Sequence, residues 1–405
     1  MTGPDTTRAA LMRTYAEPPV TFASGRGSEL FDTEGRRYLD CISGIAVTSL
    51  GHSHPAVAEA VAEQARTLWH VSNLYGNVLA PEVAATLDRL VGGGEQRAGG
   101  QVFFCNSGAE ANECALKLAR RWAGPGRHVV VATEGSFHGR TLATLTATGQ
   151  LAKHVPFQPL LEGFVHVAYD DLDAMAAAVD PATVGAVLVE PVQGEGGVVP
   201  PSSDYLAGLR ELCTERGVLL MADEIQTGLG RTGHWFAFQA HHLRPDVVTM
   251  AKALGNGMPV GACWARAEVA AAFGPGDHAT TFGGQPLAMS AVRATLRVME
   301  EEDVCGRAVR AGARLSAGLA SQPGVRAVRG IGLLVAAELT EAAAPDVVTA
   351  ALGHGLLVNA VRPDAVRLAP SLLISGEEVD EAVALLGAAL DDVLGNRHGD
   401  AAAAQ

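Results

Sequence analysis

Between residues 102 and 264, short apolar runs alternate with helical stretches. Val102 to Cys105 precedes a helical pattern at 108–122, and Val129 to Ala132 follows it. Val184 to Val189 precedes a helical pattern at 203–216. Val218 to Met221, Val247 to Met250 and Val260 to Trp264 come next. Strands this uniformly apolar are covered on both faces, and the intervening helices supply the cover. The chain is therefore expected to build an α/β fold with a large, doubly wound, mainly parallel sheet. A helical pattern at 285–301 closes this region.

The flanks read differently. Residues 1–20 are polar, carry Pro18-Pro19 and read as an arm or edge segment. Residues 21–50 hold a hairpin-like pattern with a break at Gly25-Arg26-Gly27 and a turn from Asp32 to Gly35. Helical periodicity covers 55–70 and 81–91, with Pro55 and Pro81 near the starts. Beyond 306, strands at Arg329–Glu338, Leu356–Asn359 and Val366–Leu368 mix with helices. The expected organisation is an N-terminal arm and part of a small domain over 1–50, and a large domain over 51–303. A C-terminal small α+β domain follows over 304–396, and residues 397–405 read as a disordered tail.

A chain of 405 residues is too long for one small core, and 48% hydrophobic residues suffice for a large one. The net charge of -14 would repel a phosphate backbone, so no nucleic-acid partner is expected. No run of about 18 apolar residues occurs, and Met1 to Ala10 lacks the apolar core of a secretory signal. The expectation is a cytoplasmic protein without a membrane partner. Six cysteines (Cys41, Cys105, Cys114, Cys213, Cys263 and Cys305) are scattered and form no CxxC pair. They read as small buried hydrophobes of a reducing compartment, and no metal site is expected.

Only three of the 30 basic residues are lysines: Lys117, Lys153 and Lys252. Arginine replaces lysine at ordinary surface positions, so a retained lysine points to a need for a primary amine. Lys117 sits beside Arg120 and Arg121 and reads as a solvated helix face. Lys153 reads as a surface charge in a polar loop. Lys252 follows the apolar run Val247–Met250 and precedes Gly255-Asn256-Gly257, an edge at which an amine loses water and becomes nucleophilic. Asn106-Ser107-Gly108-Ala109 follows a strand and opens a helix, which suits a phosphate, though an ordinary N-cap has the same look. Val218 to Met221 runs into Asp223-Glu224, which reads either as a solvated strand end or as carboxylates facing a ligand. Together, a phosphate cradle, a strand-end carboxylate and an isolated lysine are the parts that pyridoxal 5'-phosphate needs.

Six blocks then carry a family resemblance. They are Phe104 to Glu113, Phe137-His138-Gly139-Arg140-Thr141, Glu190 to Gly197, Asp223 to Gly228, Gly230-Arg231-Thr232-Gly233 and Thr281-Phe282-Gly283-Gly284. The chain resembles the class III aminotransferases among the fold-type I pyridoxal-phosphate enzymes, over roughly 18–395. Within that class it is most similar to acetylornithine aminotransferases. The resemblance implies that the large domain binds the cofactor. Lys252 would hold its aldehyde and shuttle a proton, and Asp223 would pair with the ring nitrogen. Ser107, Gly108 and Ala109 would bind the phosphate, completed by Thr281 from the other subunit of a homodimer. Phe137 would stack on the ring and Gln226 would lie near its hydroxyl. Arg140 would bind the α-carboxylate of an ω-amino donor, and Arg367 that of glutamate or 2-oxoglutarate. Glu195 would pair with Arg367 as a gate.

The implied activity is ping-pong transfer of an ω-amino group from N2-acetylornithine or a similar amine to 2-oxoglutarate, in arginine biosynthesis. The alternatives are an ω-aminotransferase for 4-aminobutyrate, ornithine or another diamine or diaminoacid in specialised metabolism, and a non-catalytic cofactor-binding protein. Ile45 stands where ornithine aminotransferases carry a tyrosine, which disfavours ornithine. Thr280 and Gln285 depart from the common Ser and Asn of the family's Ser-Thr-Phe-Gly-Gly-Asn, and these positions bear on the donor.

Overall fold

Three strands open the chain: β1 (Phe22–Arg26), β2 (Glu29–Asp32) and β3 (Arg37–Asp40). They form an antiparallel meander. The computed structural model describes residues 10–395, so the first nine residues of the expected arm and the expected tail lie outside it. Gly25 and Arg26 belong to β1, and the turn falls one step later at Gly27, whose φ is +58°.

The large sheet contains β4 (Gly100–Cys105), β5 (Val129–Thr133), β6 (Phe164–Val167), β7 (Val184–Val189), β8 (Leu219–Asp223), β9 (Val247–Met250) and β10 (Gly261–Arg266). Their order is β4-β10-β9-β8-β7-β5-β6. Every residue of β7, β8 and β9 is buried, as strands covered on both faces must be. β10 runs antiparallel to both of its neighbours, and the other pairs are parallel. The connection from Met250 to Gly261 is too short for a crossover helix, so β10 must return antiparallel. β6 was not expected from the sequence. It is a four-residue edge strand, mostly half-buried, whose short run carries little periodicity.

The C-terminal part adds β11 (Val325–Ile331), β12 (Leu334–Leu339), β13 (Leu356–Leu357), β14 (Asn359–Arg362) and β15 (Ala365–Leu368). The single strand expected at Arg329–Glu338 is instead a hairpin of β11 and β12. Its turn passes through Gly332, at φ +59°, and a Cβ on Gly330 would lie 2.1 Å from the Leu334 carbonyl oxygen. The expected strand Leu356–Asn359 divides as well. β13 pairs parallel with β3, while β14 joins β15 in the β11-β12-β15-β14 sheet. The two ends of the chain thus share one sheet, and one apolar core runs from Leu39 through the large sheet to Leu394.

Arg231 ties these layers together. It is 1% exposed and has no acidic partner, so burial alone pulls its pKa down to about 9. Its guanidinium donates to the carbonyls of Leu333 and Pro370 and to Ser49 Oγ.

Candidate active site

β4, β5, β7, β8 and β9 all point one way, and a cleft of about 390 Å³ lies beyond their carboxyl ends. It is lined by Ser107, Gly108, Ala109, Phe137, Arg140, Glu195, Asp223, Gln226 and Lys252 among others. Arg367 stands behind the wall and reaches Glu195 and Gln226. Thr281 is exposed in the loop before Gly283 and does not line this cleft.

The helix Gly108–Ala123 starts at the cleft. Ser107 is extended, with φ −157° and ψ 166°, and its Oγ accepts from Glu110 N at 3.2 Å. Glu110 Oε2 reaches back to accept from Asn106 N at 2.6 Å, a reciprocal cap that fixes the chain's entry. A Cβ on Gly108 would sit 2.8 Å from Ile225 Cδ1, so a side chain there would require Ile225 to shift. The backbone N–H groups of Gly108 and Ala109 belong to the helix's first turn, at the positive end of its dipole.

Asp223 ends β8 and is 3% exposed. Its Oδ2 accepts from His138 Nδ1 at 2.7 Å and from Asn112 Nδ2 at 2.8 Å. Asn112 Oδ1 in turn accepts from Thr249 Oγ1 at 2.8 Å. This bracing was missed from the sequence. One signal was available: Asn112 is a polar residue among Ala111, Cys114 and Ala115 on the buried face of its helix. His138, beside the nominated Phe137, had no such signal.

Lys252 takes φ +42°, a left-handed conformation that costs a non-glycine residue energy and clusters at functional sites. Its amine is pulled down to about 8, first by burial and then by the Arg367 charge, against the pull of Glu195, Asp223 and Glu190. Glu190 was quoted within a motif but given no role. Its two oxygens accept from Phe137 N at 3.0 Å and Gly194 N at 3.3 Å, so one carboxyl joins the wall at Phe137 to the segment bearing Glu195. Burial pushes it up to about 7.

Arg367, on β15, is 2% exposed. Nη1 donates to Glu195 Oε1 at 2.7 Å and to Gln226 Oε1 at 2.9 Å, and Nε donates to Asn359 Oδ1. Nη2 is buried without a hydrogen-bond partner, a donor that a carboxylate would satisfy. Burial raises the Glu195 carboxyl, but the charge and hydrogen bond of Arg367, together with the Lys252 charge and Gln226, hold the group below its ordinary range. Glu195 keeps 31% of its side chain exposed, so it has room to leave. Arg140 is exposed at the mouth, with its guanidinium 5.6 Å from the centre of the Phe137 ring.

One lysine reading needs correction. Lys153 is half-buried rather than free at the surface, and burial followed by repulsion from Arg140 lowers its pKa. Lys117 is exposed, but its amine is engaged by the Asp277 carbonyl and His278. The unusual Thr280 and Gln285 both have partners: Thr280 Oγ1 accepts from Asn106 Nδ2, and Gln285 Oε1 accepts from Val71 N.

Comparison with known proteins bears on this geometry. The family described as Aminotransferase class-III matches residues 11–390. An acetylornithine aminotransferase of Gloeobacter violaceus is 49% identical over 385 residues, 93% of this chain and 94% of that protein. One of Mycobacterium bovis is 47% identical over 98% of this chain and all of its own length. Among solved structures, an N-acetylornithine aminotransferase of Stenotrophomonas maltophilia superposes with a TM-score of 0.82 at 35% identity, covering 96% of this chain and 98% of its own. An ornithine aminotransferase of Toxoplasma gondii gives 0.89 at 34% identity, covering 95% and 93%.

Proposed function

The chain belongs to the class III aminotransferases, and from that premise we propose that it moves the ω-amino group of N-acetylornithine to 2-oxoglutarate. The names of the relatives supply the donor. The observation that carries the reading is Arg367, whose Nη1 is shared by Glu195 and Gln226 while Nη2 is unpaired beside a cleft that holds Lys252.

The residues fit pyridoxal 5'-phosphate. The cradle at Gly108 is crowded by Ile225, the helix start offers N–H groups, and Asp223 is a braced carboxylate within the cleft. When bound, this cofactor accepts the electron pair released as the substrate's amine-bearing carbon loses its proton. Gly108, Ala109 and Ser107 hold the phosphate, and Phe137 covers the ring face. Asp223 keeps the ring nitrogen protonated, with His138 and Asn112 fixing its orientation. Gln226 gives its carbonyl to Arg367, which leaves its amide N–H₂ to face the ring hydroxyl. Lys252 would hold the cofactor's aldehyde carbon, and its amine would carry the proton to and from the substrate carbon.

The donor and acceptor differ at the far end. Arg140 takes the α-carboxylate of the ω-amine. Glu195 on Arg367 masks the inner guanidinium during that half. A diacid displaces Glu195, and Arg367 then grips its α-carboxylate.

The active form in this reading is a homodimer. Trp69, Leu74, Tyr75, Val78 and Phe282 are 60%, 86%, 74%, 85% and 64% exposed. Asn73 and Asn77 donate to the carbonyls of Thr280 and Gly284, which joins these residues into one surface around Thr281. A patch of this kind marks a protein interface, and it would carry Thr281 to the phosphate of the other subunit. Scattered, unpaired cysteines fit a cytoplasmic enzyme.

The test is a single-turnover absorbance scan of the loaded enzyme with N-acetylornithine, ornithine, 4-aminobutyrate, diaminobutyrate and glutamate. Fast bleaching with N-acetylornithine and glutamate, and little with the others, is expected. A faster response to another ω-amine would overturn the donor assignment.

A further inference from the structure

After β3 the chain enters a strained loop. Ser43, Gly44, Ile45 and Ala46 take φ of +51°, +63°, +67° and +59° in succession. Ala46 N donates to the Ile42 carbonyl at 2.9 Å and Val47 N to the Ser43 carbonyl at 2.7 Å, so these residues make one turn of left-handed helix. Three of the four carry a Cβ and Ile45 is β-branched. Side chains disfavour this conformation, and strain of this kind gathers at functional sites. The loop is clasped at its ends. Asp40 Oδ1 accepts from Ile42 N and Ser43 N, both at 2.8 Å, and Oδ2 accepts from His52 Nε2 at 2.7 Å. Val47, directly after the turn, lines the cleft.

Asn256 reaches this loop from the lysine side. It closes the turn Lys252–Gly255, donating from its own N to the Ala253 carbonyl at 3.3 Å, and takes φ +46°. Its side-chain Oδ1 accepts from Leu50 N at 2.8 Å, and Nδ2 donates to the Gly51 carbonyl at 3.1 Å. Glycine would adopt φ +46° without strain, but a side-chain amide supplies both an acceptor and a donor to that stretch of backbone. The residues that follow, Gly257, Met258, Pro259 and Val260, line the same cleft as Val47. A Cβ on Gly257 would lie 3.9 Å from Thr48 Cγ2, so the two segments meet there.

We propose that Asn256 is a positioning residue for the amino donor: by stitching the left-handed loop to the Lys252 turn, it holds Val47 and Met258 as an apolar wall that accepts an uncharged acyl group and rejects a free ammonium. This selection rests on the donor reading above. Val47, Met258, Pro259 and Val260 are all apolar, so an ammonium against them would lose water without gaining a counter-charge, whereas an acetyl methyl would not. Without the two side-chain bonds the strained loop relaxes, the wall opens to water, and the choice between acyl and ammonium weakens.

The test compares the loaded wild type with Asn256→Gly, which suits the φ of the turn and removes both bonds. Hydrogen exchange, read by mass spectrometry over residues 43–51, should be about tenfold faster at Leu50 in the variant, while Val184–Val189 stays protected. In single turnover, kcat/KM for N-acetylornithine should fall about tenfold through KM, with the losses for ornithine and glutamate below about threefold. Unchanged exchange at Leu50, equal losses with N-acetylornithine and ornithine, or faster exchange at Val184–Val189 as well would each overturn the proposal. A wild type that does not respond to N-acetylornithine would instead strike the donor reading. The proposal is then judged on Leu50 exchange and on a KM-borne loss with the panel's fastest donor, and fails without both.

Discussion

Arg367 donates through Nη1 to Glu195 and to Gln226, so one guanidinium joins the proposed gate to the residue proposed to face the ring. Replacing it with alanine removes the proposed anchor of the acceptor and leaves Glu195 without its counter-charge. Arg367→Ala should lower kcat/KM for 2-oxoglutarate and glutamate by about 10²–10³, the scale of a lost buried charge pair. The ω-amine half-reaction should fall by less than about tenfold. Equal losses in both halves, measured by single turnover, would contradict the gate. Lys252→Ala should abolish turnover and leave only non-covalent cofactor, visible as a changed absorbance band. The lysine also makes a pH prediction. Its neutral form accumulates above about 8 rather than near 10.5, so capture of pyridoxal phosphate by the cofactor-free protein should accelerate as pH rises to about 8 and then level off. A rate still climbing tenfold per unit at pH 10 would refute that. At this scale the sequence was informative where chemistry is rare: three lysines narrow the search, and the strand before Lys252 with the glycine-rich turn after it points to that one. It was silent on His138 and Glu190, because their partners, Asp223 and Phe137, come from distant segments.

The helix Gly108–Ala123 does two jobs, packing Cys114, Ala115, Leu118 and Ala119 on the sheet and presenting its first turn to the cleft. Gly108→Val should press on Ile225, push the turn outward and weaken pyridoxal-phosphate affinity about tenfold or more, read by equilibrium dialysis. An unaltered Kd would detach the phosphate from this turn. The apolar runs marked the core strands well, since burial on both faces demands uniform hydrophobicity. Edge and terminal elements were harder. β6 has a half-wet face, and β13 and β14 share one apolar stretch that two sheets divide at Val358. Periodicity cannot indicate that a strand changes partners, because the partner lies elsewhere in the chain.

For the molecule as a whole, Arg231 and the exposed patch carry the tests. Arg231→Ala leaves two buried carbonyls and Ser49 without a donor and should cost about 2–4 kcal/mol, seen as a lower denaturation midpoint. Phe282→Glu with Trp69→Glu should yield monomers by sedimentation and lose cofactor together with activity, because Thr281 would then face no partner. A fully active monomer would remove Thr281 from the phosphate site. The sequence by itself determined the α/β class, the family and the positions able to carry the chemistry, since these rest on local hydrophobic period and on residue types with scarce chemistry. Tertiary structure alone decided that β10 runs antiparallel, that β3 and β13 join the two ends of the chain, and that Lys117 bonds His278 rather than water. Each depends on a contact between distant segments, and a pairing of that kind leaves no local trace in composition or period.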